Sequence, residues 1–141
     1  MKKTNILVID GQGGRIGSQI VDKIHSKFPE CLITAIGTNS AATVNMLKSG
    51  ADRGATGENA VIVNSDDTDI IIGPIGIVIA NSLLGEITPN MAVAIGKSKA
   101  VKLLVPINLC NNIVVGVQNS SISSLLDSTI EEVQKILSSD I

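Results

Sequence analysis

The chain has no tryptophan, no tyrosine and a single phenylalanine, Phe28, among its 141 residues. It therefore offers no aromatic platform on which nucleic-acid bases would stack. Without tyrosine there is also no Ser-Tyr-Lys reductase constellation. One histidine, His25, rules out an imidazole-rich metal site. Eleven lysines and arginines stand against thirteen aspartates and glutamates, so no basic field exists to collect phosphates along a nucleic acid, and no nucleic-acid partner is expected. The two cysteines, Cys31 and Cys110, show no C-x-x-C spacing and suggest neither a zinc site nor a disulfide framework. They read as buried thiols in a reducing compartment.

Long apolar runs are missing as well. The N-terminus reaches an apolar run of only four residues, Ile6 to Ile9, before Asp10, too short for a signal-peptide core. The most apolar stretch, Ile70 to Leu84, is broken by Gly73, Pro74, Gly76 and Asn81 and falls short of the roughly 20 residues that span a bilayer. A cytoplasmic chain without membrane contact is the expectation.

What is abundant is Ile, Val, Leu and Ala, which carry most of a 44% hydrophobic content. That is the composition of strands buried on both faces. Short β-branched runs alternate with segments of helical spacing, the pattern of βαβ units. The length suits one domain over residues 1–141. The expected fold is α/β, a three-layer αβα Rossmann-like arrangement on a mostly parallel sheet of about six strands, with order near 3-2-1-4-5-6.

Ile6 to Ile9 reads as the central first strand. The next helix carries Ile16, Ile20, Val21, Ile24 and Phe28 on one stripe and stops at Pro29. Cys31 to Ile36 reads as the second strand, and Thr38-Asn39-Ser40 offers caps for a helix through Leu47. Between Ala51 and Asp69 the alternation asks for a crossover helix although Ala60 to Val63 has strand propensity, and a short helix is favoured. Ile70 to Ile72 is a further strand, followed by a helix from Ile75 to Leu84 with Pro74 at its start. That helix is apolar nearly all round, so a subunit interface is expected to cover it and to make the chain a homo-oligomer, a dimer or higher. Thr88-Pro89 starts another helix, Val101 to Val105 and Ile113 to Val117 read as strands, and Ile122, Leu126, Ile130, Val133 and Leu137 stripe a closing helix.

The stretch that points to chemistry is Asp10-Gly11-Gln12-Gly13-Gly14-Arg15-Ile16-Gly17, set between the first strand and the first helix. A tight turn needs residues without Cβ clashes, and a phosphate approaches a main chain only where side chains are missing. The helix that follows presents unpaired N–H groups and a positive dipole end. Gly17 would let that helix pack close to the strand. The spacing departs from G-x-G-x-x-G because Ile16 holds the sixth place. No lysine follows the glycines, so the turn is not a P-loop.

At these residues the sequence resembles the nucleotide loop of the dihydrodipicolinate reductase family, over about the first 30 residues. The resemblance implies that Gly11 to Gly17 cradle the phosphates of NAD or NADP, with Arg15 near the adenosine end. The substrate domain of those reductases has no counterpart in a chain of this length. Taken whole, with Gly-Pro-Ile-Gly at 73–76 and Leu-Gly-Glu-Ile-Thr-Pro at 84–89, the chain looks like an uncharacterised family of small bacterial Rossmann-like proteins. No activity comes with that likeness.

Two features stand against a dinucleotide. The second strand ends Ile36-Gly37-Thr38-Asn39, without the acid that grips a ribose diol. Asp10 sets a negative charge beside the proposed anion; it either stays outside the site, fixes the loop by accepting main-chain N–H bonds, or holds a Mg²⁺ against a phosphate. Further candidates stand at the strand ends: Gly37, Thr38 and Asn39; Gly73, Pro74 and Ile75; and Asn108. Asparagines there would bond a ribose or a nicotinamide, or simply make turns. Glu58 and Glu86 each follow a glycine and would enter a cleft or act as solvated or capping carboxylates. Asp66, Asp67 and Asp69 read as a solvated turn rather than a metal site. Two functions follow: a nucleotide-binding Rossmann-like protein, most simply for NAD(P), acting alone or as an oxidoreductase component, or a non-catalytic ligand-sensing or scaffold module acting as a homo-oligomer.

Overall fold

In the computed structural model, which describes residues 3–107, 109 and 111–139, the continuous apolar run Ile6 to Ile9 lies at the centre of a parallel sheet. Strand β1 (Asn5–Asp10) pairs with β2 (Leu32–Gly37) on one side and β4 (Ile70–Pro74) on the other. β3 (Arg53–Thr56) lies outside β2 and β5 (Val101–Val105) outside β4, giving five strands in the order β3-β2-β1-β4-β5. The three layers and the strand order agree with the α/β arrangement expected from the sequence.

A strand flanked by helices on both faces has no polar side to show, and Ile6, Leu7, Val8 and Ile9 are all buried. Their side chains alternate between two cores. Ile6 and Val8 join Ile33, Ala35, Ile70 and Ile72 beneath helices α1 (Arg15–Lys27), α2 (Ser40–Lys48) and α5 (Ile122–Ser139). Leu7 and Ile9 join Ile36 and Ile71 against α3 (Glu58–Ser65) and α4 (Pro89–Lys97). Each such Ile or Leu contributes about 1.5–3 kcal/mol of burial. The stripe of α5 is used as its spacing implies, with Leu126, Ile130 and Val133 buried. Asn39 caps α2 by accepting the Ala42 N–H, and Thr88 caps α4 by accepting that of Met91, with Pro89 opening the helix.

Three expectations are corrected. Among the described residues the sheet has five strands, because Ile113 to Val117 lies outside it, with Ile113 and Val115 almost fully exposed. Between Ala51 and Asp69 the short helix is present as α3, but it is preceded by the edge strand β3, which the sequence reading lacks. The long apolar helix from Ile75 to Leu84 does not form. β4 runs on through Pro74, a single 3-10 turn occupies Ile75–Val78, and the chain then folds back through tight turns. Ile77 and Leu83 from this segment, with Ile87 just beyond it, join the second core, while Leu84 stays exposed, so the all-round apolar helix expected to need a covering subunit is absent. Among the described residues no helix is long and apolar enough to cross a membrane.

Candidate functional site

The turn after β1 is built by glycines, but most of them make room for the protein itself. Gly14 sits in the left-handed region, with φ 69° and ψ 21°, and is the residue before α1. Its N–H closes the turn on the Gly11 carbonyl at 2.9 Å, and a Cβ there would lie 2.7 Å from the Ala42 Cα of α2. A Cβ on Gly17 would meet the Met46 sulfur and the Asp10 Cβ, and one on Gly11 would meet the Thr38 hydroxyl, Glu86 and Leu83. Gly13 is different. A Cβ there would touch only the Arg15 Cγ, at 3.7 Å, so its Cα faces open space.

Asp10 accepts main-chain N–H bonds, the second of its three possible roles. Its Oδ1 takes the Gly11 N–H at 2.8 Å and its Oδ2 the Gly17 N–H at 2.7 Å. Gly17 is the third residue of α1 and Gly14 has no side chain to cap it, so Asp10 supplies the acceptor that an N-cap side chain would give. The negative charge at this helix terminus is thus the protein's own on the inner side. Burial lifts the Asp10 carboxyl above its ordinary value of 3.8, the N–H bonds pull it back, and the nearby Glu86 charge adds to the rise.

Glu86 is the site residue that the sequence reading left unplaced between cleft and cap. Its Oε1 accepts the Gln12 N–H at 2.7 Å and its Oε2 the Asn39 Nδ2 at 2.7 Å. Asn39 is held for this by its Oδ1 on the Ala42 N–H and by a second Nδ2 donation to the Gln12 carbonyl at 2.8 Å. The Glu86 contact spans 74 positions in the chain, and no local pattern encodes it. Glu58 instead accepts the Thr88 hydroxyl at 2.6 Å and ties α3 to α4.

On the outer side of the turn, the Gly13 and Arg15 N–H groups have no acceptor among the described residues. They border a cleft of about 320 Å³ lined by Asp10, Gly11 to Ile16, Gln19 and Ile122. Arg15 and Lys48 flank the neighbouring depression beside Gly13 and form no ion pair among the described residues. The expected site residues therefore separate. Gly11, Gln12, Gly13, Gly14, Arg15 and Ile16 line this cleft; Gly17 packs beneath it; Thr38, Asn39 and Glu86 do not line it but lie against Gly11 and Gln12 at the neighbouring corner of the turn. Gly37 is buried under the start of α2, with its N–H on the Thr43 hydroxyl. Gly73 and Pro74 are buried in β4, where a Cβ on Gly73 would overlap the Ile9 carbonyl oxygen; neither lines the cleft, nor does the half-buried Ile75. Asn108 and Cys110 lie outside the described residues. Cys31 is buried, which raises its thiol pKa and makes it a poor nucleophile. Among the described residues no cluster of three or more metal-ligating side chains occurs.

The fold is similar to the crystal structure of a dodecameric FMN-dependent UbiX-like decarboxylase from Escherichia coli O157:H7. Identity is 16%, with a TM-score of 0.46 over 92% of this chain and 75% of that one. At that level nothing about this chain's chemistry follows from the likeness. No curated protein matches the sequence, so the resemblance of the glycine turn to the dihydrodipicolinate reductases finds no support there. Residues 5–138 match the family described as Domain of unknown function (DUF3842), and the chain belongs to that family.

Proposed function

We propose that this chain is a nucleotide-binding domain of Rossmann type whose ligand lays its phosphate along Gly13, Gly14 and Arg15. One observation carries the reading. The turn is fully formed, yet the Gly13 and Arg15 N–H groups remain unclaimed over an open cleft. An anion there would gain main-chain N–H bonds and the positive end of α1, with the Arg15 and Lys48 side chains within its surroundings. NAD and NADP are the first ligands to test. FMN, ATP, AMP and CoA share the phosphate and belong to the same panel.

The test is thermal unfolding of the protein against this panel, repeated with Gly13→Asp. A ligand at a hundred times its dissociation constant stabilises the folded state by about 2.7 kcal/mol, a rise in Tm of about 5–10 °C for a chain of this size. A Cβ at Gly13 meets open space, so the variant should fold as wild type and lose the ligand-induced rise. A panel that shifts nothing would refute the reading. If NADPH binds, its oxidation by small carbonyl compounds separates a reductase from a sensor.

A second reading has its own support. Asp10 and Glu86 already satisfy three N–H groups of the turn without any ligand, which suits a non-catalytic module that has kept the fold as a scaffold. The same panel, unresponsive throughout, is its expected result.

A further inference from the structure

Resting on the nucleotide reading, we infer that Glu86 is the group that grips the ribose diol, in place of the acid missing from the end of β2. Dinucleotide-binding Rossmann domains set a carboxylate at the tip of the second strand for the ribose hydroxyls. Here that tip is Gly37-Thr38-Asn39, with no acid. Glu86 reaches the same corner from the segment between β4 and α4, and lands on the Gln12 N–H and the Asn39 amide.

Its geometry suits a diol. Each carboxylate oxygen has one donor and keeps a second acceptor position, so two adjacent hydroxyls would find one oxygen each. Asn39, fixed by two other side-chain hydrogen bonds, to the Gln12 carbonyl and from the Ala42 N–H, holds the carboxylate in place. The Thr38 hydroxyl is shielded from solvent without a hydrogen-bond partner, and it crowds the same face of Gly11 as Glu86 Oε1. A polar floor therefore already lies under the corner.

The segment that delivers Glu86 is held in a costly conformation. Asn81, Leu83 and Leu84 have φ of 66°, 54° and 56°, a region that leucine rarely adopts. Anchoring offsets the cost: Leu83 and Ile87 are buried, the Asn81 N–H bonds the Ile87 carbonyl at 2.7 Å, and the Ser82 hydroxyl donates to the Gly76 carbonyl. Gln12 borders both this corner and the cleft above Gly13. A nucleoside seated on Glu86 would thus direct its phosphate toward the unclaimed N–H groups. A carboxylate at this place repels a phosphate on the ribose, so NADH is favoured over NADPH.

Calorimetric titration with AMP and 2′-deoxy-AMP tests the assignment on the wild-type protein without any substitution. The expected result is at least about tenfold tighter binding of AMP, the effect of losing a hydrogen bond to a charged group. In Glu86→Gln that preference should fall to about twofold or less, and the preference for NADH over NADPH should shrink with it. Equal binding of the two AMP forms by wild type overturns the role of Glu86 while leaving the nucleotide reading intact. So does tighter nucleotide binding by Glu86→Gln, which would mark the carboxylate as a plug. If no member of the nucleotide panel binds, both readings fall together.

Discussion

Replacing Gly14 with alanine is expected to lower the unfolding free energy by about 3 kcal/mol, or about 6–12 °C in Tm. Two independent costs combine. A left-handed main chain is unfavourable for any residue with a Cβ by about 1–2 kcal/mol, and Gly14 has φ 69°. The added Cβ would also come within 2.7 Å of the Ala42 Cα and 2.9 Å of its carbonyl oxygen. Neither neighbour yields easily, because Ala42 belongs to the first turn of α2 and its N–H is tied to the Asn39 cap. The same substitution one residue earlier is the control. Gly13→Ala meets open space outside the left-handed region and should change stability by no more than about 0.5 kcal/mol. Urea unfolding of the pair measures the difference, and equal losses at both positions would contradict the internal role given to Gly14.

Removing the Asp10 carboxylate should cost about 2–4 kcal/mol in Asp10→Ala. The Gly11 and Gly17 N–H groups would lose their acceptor in a buried setting, and α1 would lose its cap. The pH dependence has a definite sign. Burial raises the folded-state pKa of Asp10 above 3.8, so the folded chain holds this proton more tightly than the unfolded one. The resulting contribution to stability is fully present below 3.8 and is lost as pH rises through the raised value. Other carboxylates titrate in the same range, so the quantity to follow is the difference between wild type and Asp10→Asn, which cannot ionise. The stability of wild type relative to the variant should be greatest near pH 4 and decline toward pH 7. A difference that grows with pH would mean that the hydrogen bonds outweigh burial.

The contrast between what the residues announce and what they conceal has physical causes. β1, the glycine turn, the α5 stripe and the caps Asn39 and Thr88 are local features, each readable from a few neighbouring residues. β3 is hidden because Arg-Gly-Ala-Thr lies at a sheet edge, where mostly exposed side chains need no apolar pattern. Ile75 to Leu84 misleads because a chain folded back through tight turns over the sheet end can seat Ile77 and Leu83 in the core without any helical period, leaving Leu84 exposed. Ile113 to Val117 has strand propensity, yet its described residues lie in exposed chain outside the sheet. The purpose of the glycines was half legible: only Gly13 keeps the open approach expected of a phosphate turn, while Gly11, Gly14 and Gly17 admit neighbouring parts of the protein. Glu86 joins Gln12 through tertiary folding alone.

That long reach between Glu86 and Gln12 also determines when the corner comes into being. The first βαβ half can form its turn and its cap from contacts close in sequence, but the carboxylate arrives only after β4 has docked and the chain has doubled back. Any molecule held at Glu86 therefore bridges early and late portions of the chain. Its occupancy would slow hydrogen exchange around residues 79–87 as well as at the glycines, making local opening of one region report on the other.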